Sequence, residues 1–189
     1  MKKQLYPIAL ILSAFLILYS CSAEKELVNE TTNQQVEIPL EDILPQVYIN
    51  TNSQEIPDEP KIIAEISIEN KGELRHEGLI GIEIRGQSSQ MFPKKQYGFE
   101  TRDSENQDID LSLLGLPEEE DWILHAPYSD KSLIRNALIY DLSRDIGRYA
   151  SRLVFVELIL NNTYDGLYIL MEKLKRDKYR IDINKLKSS

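Results

Sequence analysis

Two runs, LVFVELIL over 153–160 and TYDGLYILME over 163–172, are almost unbroken in apolar residues and meet at Asn161-Asn162. Asparagine tolerates a left-handed backbone, so the pair suits a two-residue hairpin turn. Strands this apolar need cover on both faces, which places the hairpin centrally in a sheet. Whatever this chain folds into is therefore built around a sheet that contains these two strands.

Weaker patterns surround them. From Lys61 to Glu69, Ile62, Ala64, Ile66 and Ile68 alternate with Ile63, Glu65, Ser67 and Glu69, the signature of a half-buried strand. A short strand is expected at Leu44–Asn50, a turn at Asn70–Glu73, and strands at Leu79–Arg85 and Lys95–Thr101, joined by a loop from Gly86 to Pro93. An acidic loop (Ser104–Asp110), a short turn of helix (Leu111–Pro117) and a brief strand (Asp121–Ala126) follow. One strong helix is expected from about Lys131 to Ile146, with Leu133, Ile134, Ala137, Leu138, Leu142 and Ile146 as its apolar stripe. Ser129 or Asp130 would accept N–H bonds at its start, and Gly147 suits its left-handed stop. Strands, helix, then strands give an α+β domain: an antiparallel sheet with one main packed helix.

The chain has 189 residues, room for one domain with appendages. With 31 acidic and 22 basic residues it carries a net charge of −9, which disfavours nucleic acid as a partner. One cysteine excludes an intramolecular disulfide and a Cys-based zinc site. Two histidines leave little room for a His-rich metal centre, and no metal site is expected.

The N-terminus reads as an address. Lys2 and Lys3 precede a nearly apolar run from Ile8 to Leu18, within the range of a signal-peptide core and too short to span a bilayer. Leu18-Tyr19-Ser20-Cys21 resembles the lipobox of bacterial lipoproteins. That resemblance implies cleavage before Cys21, a lipid on its thiol, membrane attachment through that lipid, and a place in the cell envelope outside the cytoplasm. Residues 1–20 are then a signal peptide, 21–43 a flexible polar tether, and 44–189 the folded domain.

Chemistry concentrates between the expected strands Leu79–Arg85 and Lys95–Thr101. Arg85-Gly86-Gln87-Ser88-Ser89 followed by Pro93-Lys94-Lys95-Gln96-Tyr97 sets cations, hydroxyls and a glycine close together. Arginine and lysine neutralise phosphate, and glycine and serine let donors approach it. The same residues also suit a solvated hairpin with basic flanks, since no Walker or G-x-G-x-x-G spacing is present. Ser129–Asn136 reads either as a helix cap or as part of a site, and Glu172-Lys173 either as a charged strand end or as part of one. His125, beside a strand, reads as structural. His76 has no partner in sight.

Taken in order, several segments resemble the CotH kinase family of spore coat proteins. They are Arg85-Gly86-x-Ser88-Ser89, Pro93-Lys94-Lys95-x-Tyr97, Leu113–Pro117, Asp121–Leu124, Tyr128–Asn136, Phe155–Glu157, Gly166–Tyr168 and Glu172-Lys173. The resemblance implies an atypical protein-kinase-like fold, of which residues 44–189 would be the small lobe, cut off at the C-terminal side. It implies ATP and Mg²⁺ as cofactors and a protein Ser/Thr substrate or an envelope partner. Arg85, Ser88, Ser89 and one of Lys94 and Lys95 would lie at the phosphates, with Met171, Glu172 and Lys173 at the adenine side. The helical partner of the lysine is open among Arg135, Asn136 and Asp141. Phosphoryl transfer also needs an acidic group to orient the hydroxyl and ligands for the metal. By the same resemblance Asp177 and Asp182 sit where the hinge exits and are weak substitutes, so no catalytic residue is assigned. It is expected to be an inactive portion of such a kinase or, alternatively, a non-catalytic, surface-anchored assembly module.

Overall fold

The computed structural model describes residues 43–186. The expected signal segment, Cys21 and all but the last residue of the expected tether lie outside that range. Seven strands make the domain: β1 (Gln46–Asn50), β2 (Ile62–Asn70), β3 (Glu73–Arg85), β4 (Gln96–Arg102), β5 (Asp121–His125), β6 (Leu153–Leu160) and β7 (Thr163–Glu172). One helix, α1 (Arg135–Asp145), lies between β5 and β6.

The strands close into a barrel in the order β1-β2-β3-β4-β5-β7-β6. Every pairing is antiparallel except the seam that closes it, where β1 runs parallel to β6 with Val47 opposite Leu158. The inward positions are the alternating apolar residues of the sequence. Val47, Ile49, Ala64, Ile66, Ile68, Ile80, Ile82, Tyr97, Phe99, Trp122, Leu124, Val156, Leu158, Tyr168 and Leu170 form one buried cluster. A barrel of this size is filled by its own side chains.

This corrects the α+β expectation and with it the small-lobe likeness. The fold is a β-barrel with one short helix, not a sheet that needs a helix to cover it. The reason lies in β1. Read as an isolated short strand, it bonds on both sides, to β2 and to β6, and so shuts the sheet on itself. The interior is then sealed, and the apolar stripe of α1 is left outside. Of α1 only Ala137 is buried. Tyr140 packs with Leu153 and Phe155 over Ile123, Ile169 and Met171 on the outer wall of the barrel.

Two further local expectations change. α1 starts at Arg135 rather than Lys131, because Leu133 adopts φ +62°, outside the helical region. Leu111–Pro117 forms no helix. Leu114 and Gly115 both take positive φ (50° and 81°), giving a tight turn closed by Leu116 N–H donating to Leu113 O at 2.9 Å. The Asn161-Asn162 turn, with φ 49° and 62°, and the Gly147 stop of α1, with φ 78°, follow the sequence reading.

Candidate functional site

The β3–β4 connection stands over one mouth of the barrel. Gly86 has φ +96°, and a Cβ there would lie 2.2 Å from Ser89 Oγ, so only glycine lets the chain turn with Ser89 tucked against it. Ser88–Met91 then makes one 3-10 turn. Lys95 Nζ folds back and donates to Gln90 O (2.6 Å) and Phe92 O (2.9 Å), holding the end of that turn. The Phe92 ring rests on Tyr128, with centroids 5.1 Å apart.

Beneath this loop lies a cleft of about 310 Å³. Its lining includes Ser89, Phe92, Gln96, His125, Asp130 and Asn136. Strand register makes the cleft. β3 pairs Arg85 with Gln96, and β4 pairs Tyr97 with Leu124, which brings Gln96 level with His125. His125 Nδ1 lies 2.7 Å from Gln96 Oε1, and Asn136 Nδ2 lies 3.0 Å from His125 Nε2. A neutral ring protonated on Nδ1 donates to the glutamine and accepts from the asparagine, so the first turn of α1 is tied to the start of β4. Asp130 closes the far side. Its Oδ2 accepts from Arg135 N (2.8 Å), and its Oδ1 accepts from Ser132 N (3.0 Å) and Ser132 Oγ (2.7 Å).

The expected site residues divide between two places. Of Arg85, Ser88 and Ser89 only Ser89 lines the cleft; Arg85 ends β3 and Ser88 opens the 3-10 turn, both exposed. Arg85 and both serine hydroxyls have no hydrogen-bonded or ion-paired partner of their own among the described residues. Lys94 sits at the same end, but its ammonium donates to Leu167 O (2.8 Å) and lies over the Tyr168 ring. Burial lowers its pKa, and nearby Asp165 opposes that shift. Lys95 is spent on the loop carbonyls. Among the described residues Arg135, Asn136 and Asp141 bond to neither lysine. Their partners are Asp130, His125 and Arg144.

Glu172 and Lys173 lie at the other end of β5. Ile169 is opposite His125 and Glu172 opposite Trp122, a separation of three strand residues, about 10 Å. Glu172 is fully buried and accepts from Arg152 Nη1 (2.6 Å) and Arg152 N (2.8 Å). Lys173 pairs with Asp121 at 2.8 Å. Beside them Asp110, Glu119 and Glu120 bring three carboxylates together. Lys175 pairs with Glu119, Glu120 and Asp121, and Arg180 pairs with Glu119. This end of the barrel is an ion-pair layer in which every one of these carboxylates but Asp110 has a cationic partner among the described residues.

Asn136 had been one of three open candidates to pair with the lysine, Gln96 had no role of its own within the basic stretch, and His125 had been read as structural; the structure joins the three. Gln96 lies 29 residues before His125 and Asn136 lies 11 after it, and amides carry no motif. Strand register reveals the first and the placement of α1 the second.

Both histidines titrate below their ordinary range. Burial lowers His125, the Arg85 charge lowers it further, and Asp130 opposes this. Burial alone lowers His76, whose Nε2 has no partner among the described residues. An unfolded histidine takes its proton near pH 6.5 and the folded one only at lower pH, so the unfolded state binds more protons in that window. Stability is therefore expected to fall as the pH drops below about 6.5. Urea midpoints across that range check this. The His76→Gln, His125→Gln double variant should show a flatter slope, and an unchanged slope would contradict the assignment.

The molecule is thus a small β-barrel with a hydroxyl-bearing, cation-flanked loop over a polar cleft at one mouth. The family model for CotH kinase protein matches residues 82–188, and the chain belongs to that family. The matched span runs from within β3 to the end of the described chain, so it contains both the loop and the cleft. No curated protein matches the chain.

Proposed function

We propose that this chain is an envelope-anchored CotH-family protein whose cleft takes the phosphate groups of a nucleotide, ATP by family relationship, and binds them without transferring them. The observation that carries the reading is that Arg85, Ser88 and Ser89 share the β3–β4 connection beside the cleft, Ser89 in its lining, with neither the guanidinium nor the hydroxyls engaged by other described residues. A guanidinium and two hydroxyls are matched donors for a phosphate group. Gly86 and Lys95 hold the loop that presents them.

Mg²⁺ does not fit the cleft. Asp130 is the only carboxylate in its lining, and both its oxygens already serve backbone, hydroxyl or guanidinium donors. Phosphoryl transfer needs a free carboxylate to orient the acceptor hydroxyl, and this lining has none. Binding and presentation are the chemistry these residues support. Attachment through a lipid on Cys21 belongs to the same proposal and is supported by the lipobox-like Leu18–Cys21 run.

Thermal unfolding of the full chain with and without ATP tests the cleft. ATP at about 100 times its Kd should raise stability by about 2.7 kcal/mol. Arg85→Ala combined with Ser89→Ala should remove the shift, with or without added Mg²⁺. No shift for the unaltered chain at millimolar ATP would refute the reading. Detergent-phase partition of the chain and its Cys21→Ser variant tests the anchor separately, and equal partition would refute it.

A further inference from the structure

We infer that α1 is the contact surface for a second copy of this chain, the two helices packing antiparallel about a two-fold axis near Tyr140. The helix has two unlike sides. Ala137 and Tyr140 turn toward the barrel wall. On the opposite side Ile134, Leu138, Leu142 and Ile146 follow at intervals of four, each at least half exposed. Ile139 and Leu133 widen the patch. A row at i, i+4, i+8 and i+12 is the ridge with which helices most often interlock. Among the described residues nothing covers it.

The row is its own complement. Reversed about Tyr140, it sets Ile134 against Ile146 and Leu138 against Leu142. The same reversal sets Arg135, at the first turn, against Asp145, at the last. A two-fold contact requires a patch that matches itself when turned round, and this one meets apolar with apolar and cation with anion. The Arg135 side chain is 74% exposed and its one ion pair, to Asp130, uses Nε, which leaves its terminal nitrogens available. Asp145 is exposed and has no ion pair among the described residues.

Six half-exposed aliphatic side chains amount to roughly 600 Å², a large patch for a monomer surface. That is below the ~800 Å² per partner of a standard stable interface. The dimer is therefore weak and concentration-dependent.

Sedimentation velocity of the detergent-solubilised full chain over a concentration series tests this. The unaltered chain should pass from monomer to dimer. Leu138→Glu with Leu142→Glu should remain monomeric and keep the thermal midpoint, because both side chains are exposed within one chain. Arg135→Asp should weaken association roughly tenfold, and adding Asp145→Arg should restore it. A chain that stays monomeric throughout would overturn the inference. So would a leucine double variant that dimerises equally well, or a charge-exchanged variant that stays as weak as Arg135→Asp.

Discussion

Arg180→Ala is expected to destabilise the domain by about 3–5 kcal/mol, the range for removing one partner of a buried ion pair. The Arg180 side chain is 1% exposed and that of Glu119 4%, with 3.0 Å between Nη1 and Oε2. Nη1 also donates to Lys173 O and Nη2 to Asp121 O, both at 2.8 Å, and the guanidinium lies over the Trp122 ring. One side chain thus pins the segment after β7 to the start of β5. Its loss strands a carboxylate whose pKa burial already raises against the pull of Lys175 and Arg180. Lys175 still pairs with Glu119, which favours the lower part of the range. Urea denaturation of the full chain measures the loss. Arg180→Ala with Glu119→Gln should recover part of it, because the charge left behind is then gone. A loss under 1 kcal/mol for the single variant would mean that the pair carries no such weight.

Tyr168→Ala should cost a similar amount, about 3–5 kcal/mol, through cavity formation. The ring is fully buried, stacks on Tyr97 at 6.2 Å and carries Lys94 Nζ 4.3 Å above its centre. Its hydroxyl lies 2.6 Å from Asp165 Oδ2 and 2.9 Å from Lys95 O, and its one proton serves one of them at a time. Burial and then the Asp165 carboxylate push that hydroxyl well above the usual tyrosine range, so it stays protonated. Tyr168→Phe keeps the ring and should cost only about 1 kcal/mol. It should also cut the tie to Lys95, the residue that holds the Ser88–Met91 turn. Limited proteolysis should then cleave the Gly86–Phe92 loop faster in Tyr168→Phe than in the unaltered chain. Equal rates would mean that the loop does not depend on this bond.

The strands were legible because each inward position repeats every second residue, as in Ile62-Ala64-Ile66-Ile68. The Asn161-Asn162 turn was legible because its residue type carries its backbone preference. Closure was not. A parallel seam between β1 and β6 joins residues more than a hundred positions apart and leaves no local trace in either strand. The stripe of α1 was read correctly as apolar and wrongly as buried in the domain. Periodicity reports that a face wants cover, not which surface supplies it. Leu114 and Leu133 take left-handed φ values that leucine seldom adopts, so nothing in composition announced the turn at one or the late helix start at the other.

The site was half legible. Arg85, Ser88 and Ser89 stood out by type and spacing. That Lys94 and Lys95 would be absorbed by carbonyl oxygens depends on the fold of the loop and the path of β7. The Gln96–His125 contact depends on strand register, and Asn136 joins it only through the packing of α1.

A ring of strands has no rim. Each of the seven finds a neighbour on both sides over part of its length, so the sheet has no free edge strand, and only overhangs such as Glu73–Gly78 of β3 and Thr163–Tyr168 of β7 pair on one side alone. An added strand can pair only at those overhangs, and elsewhere this domain meets a partner through side chains and connecting segments.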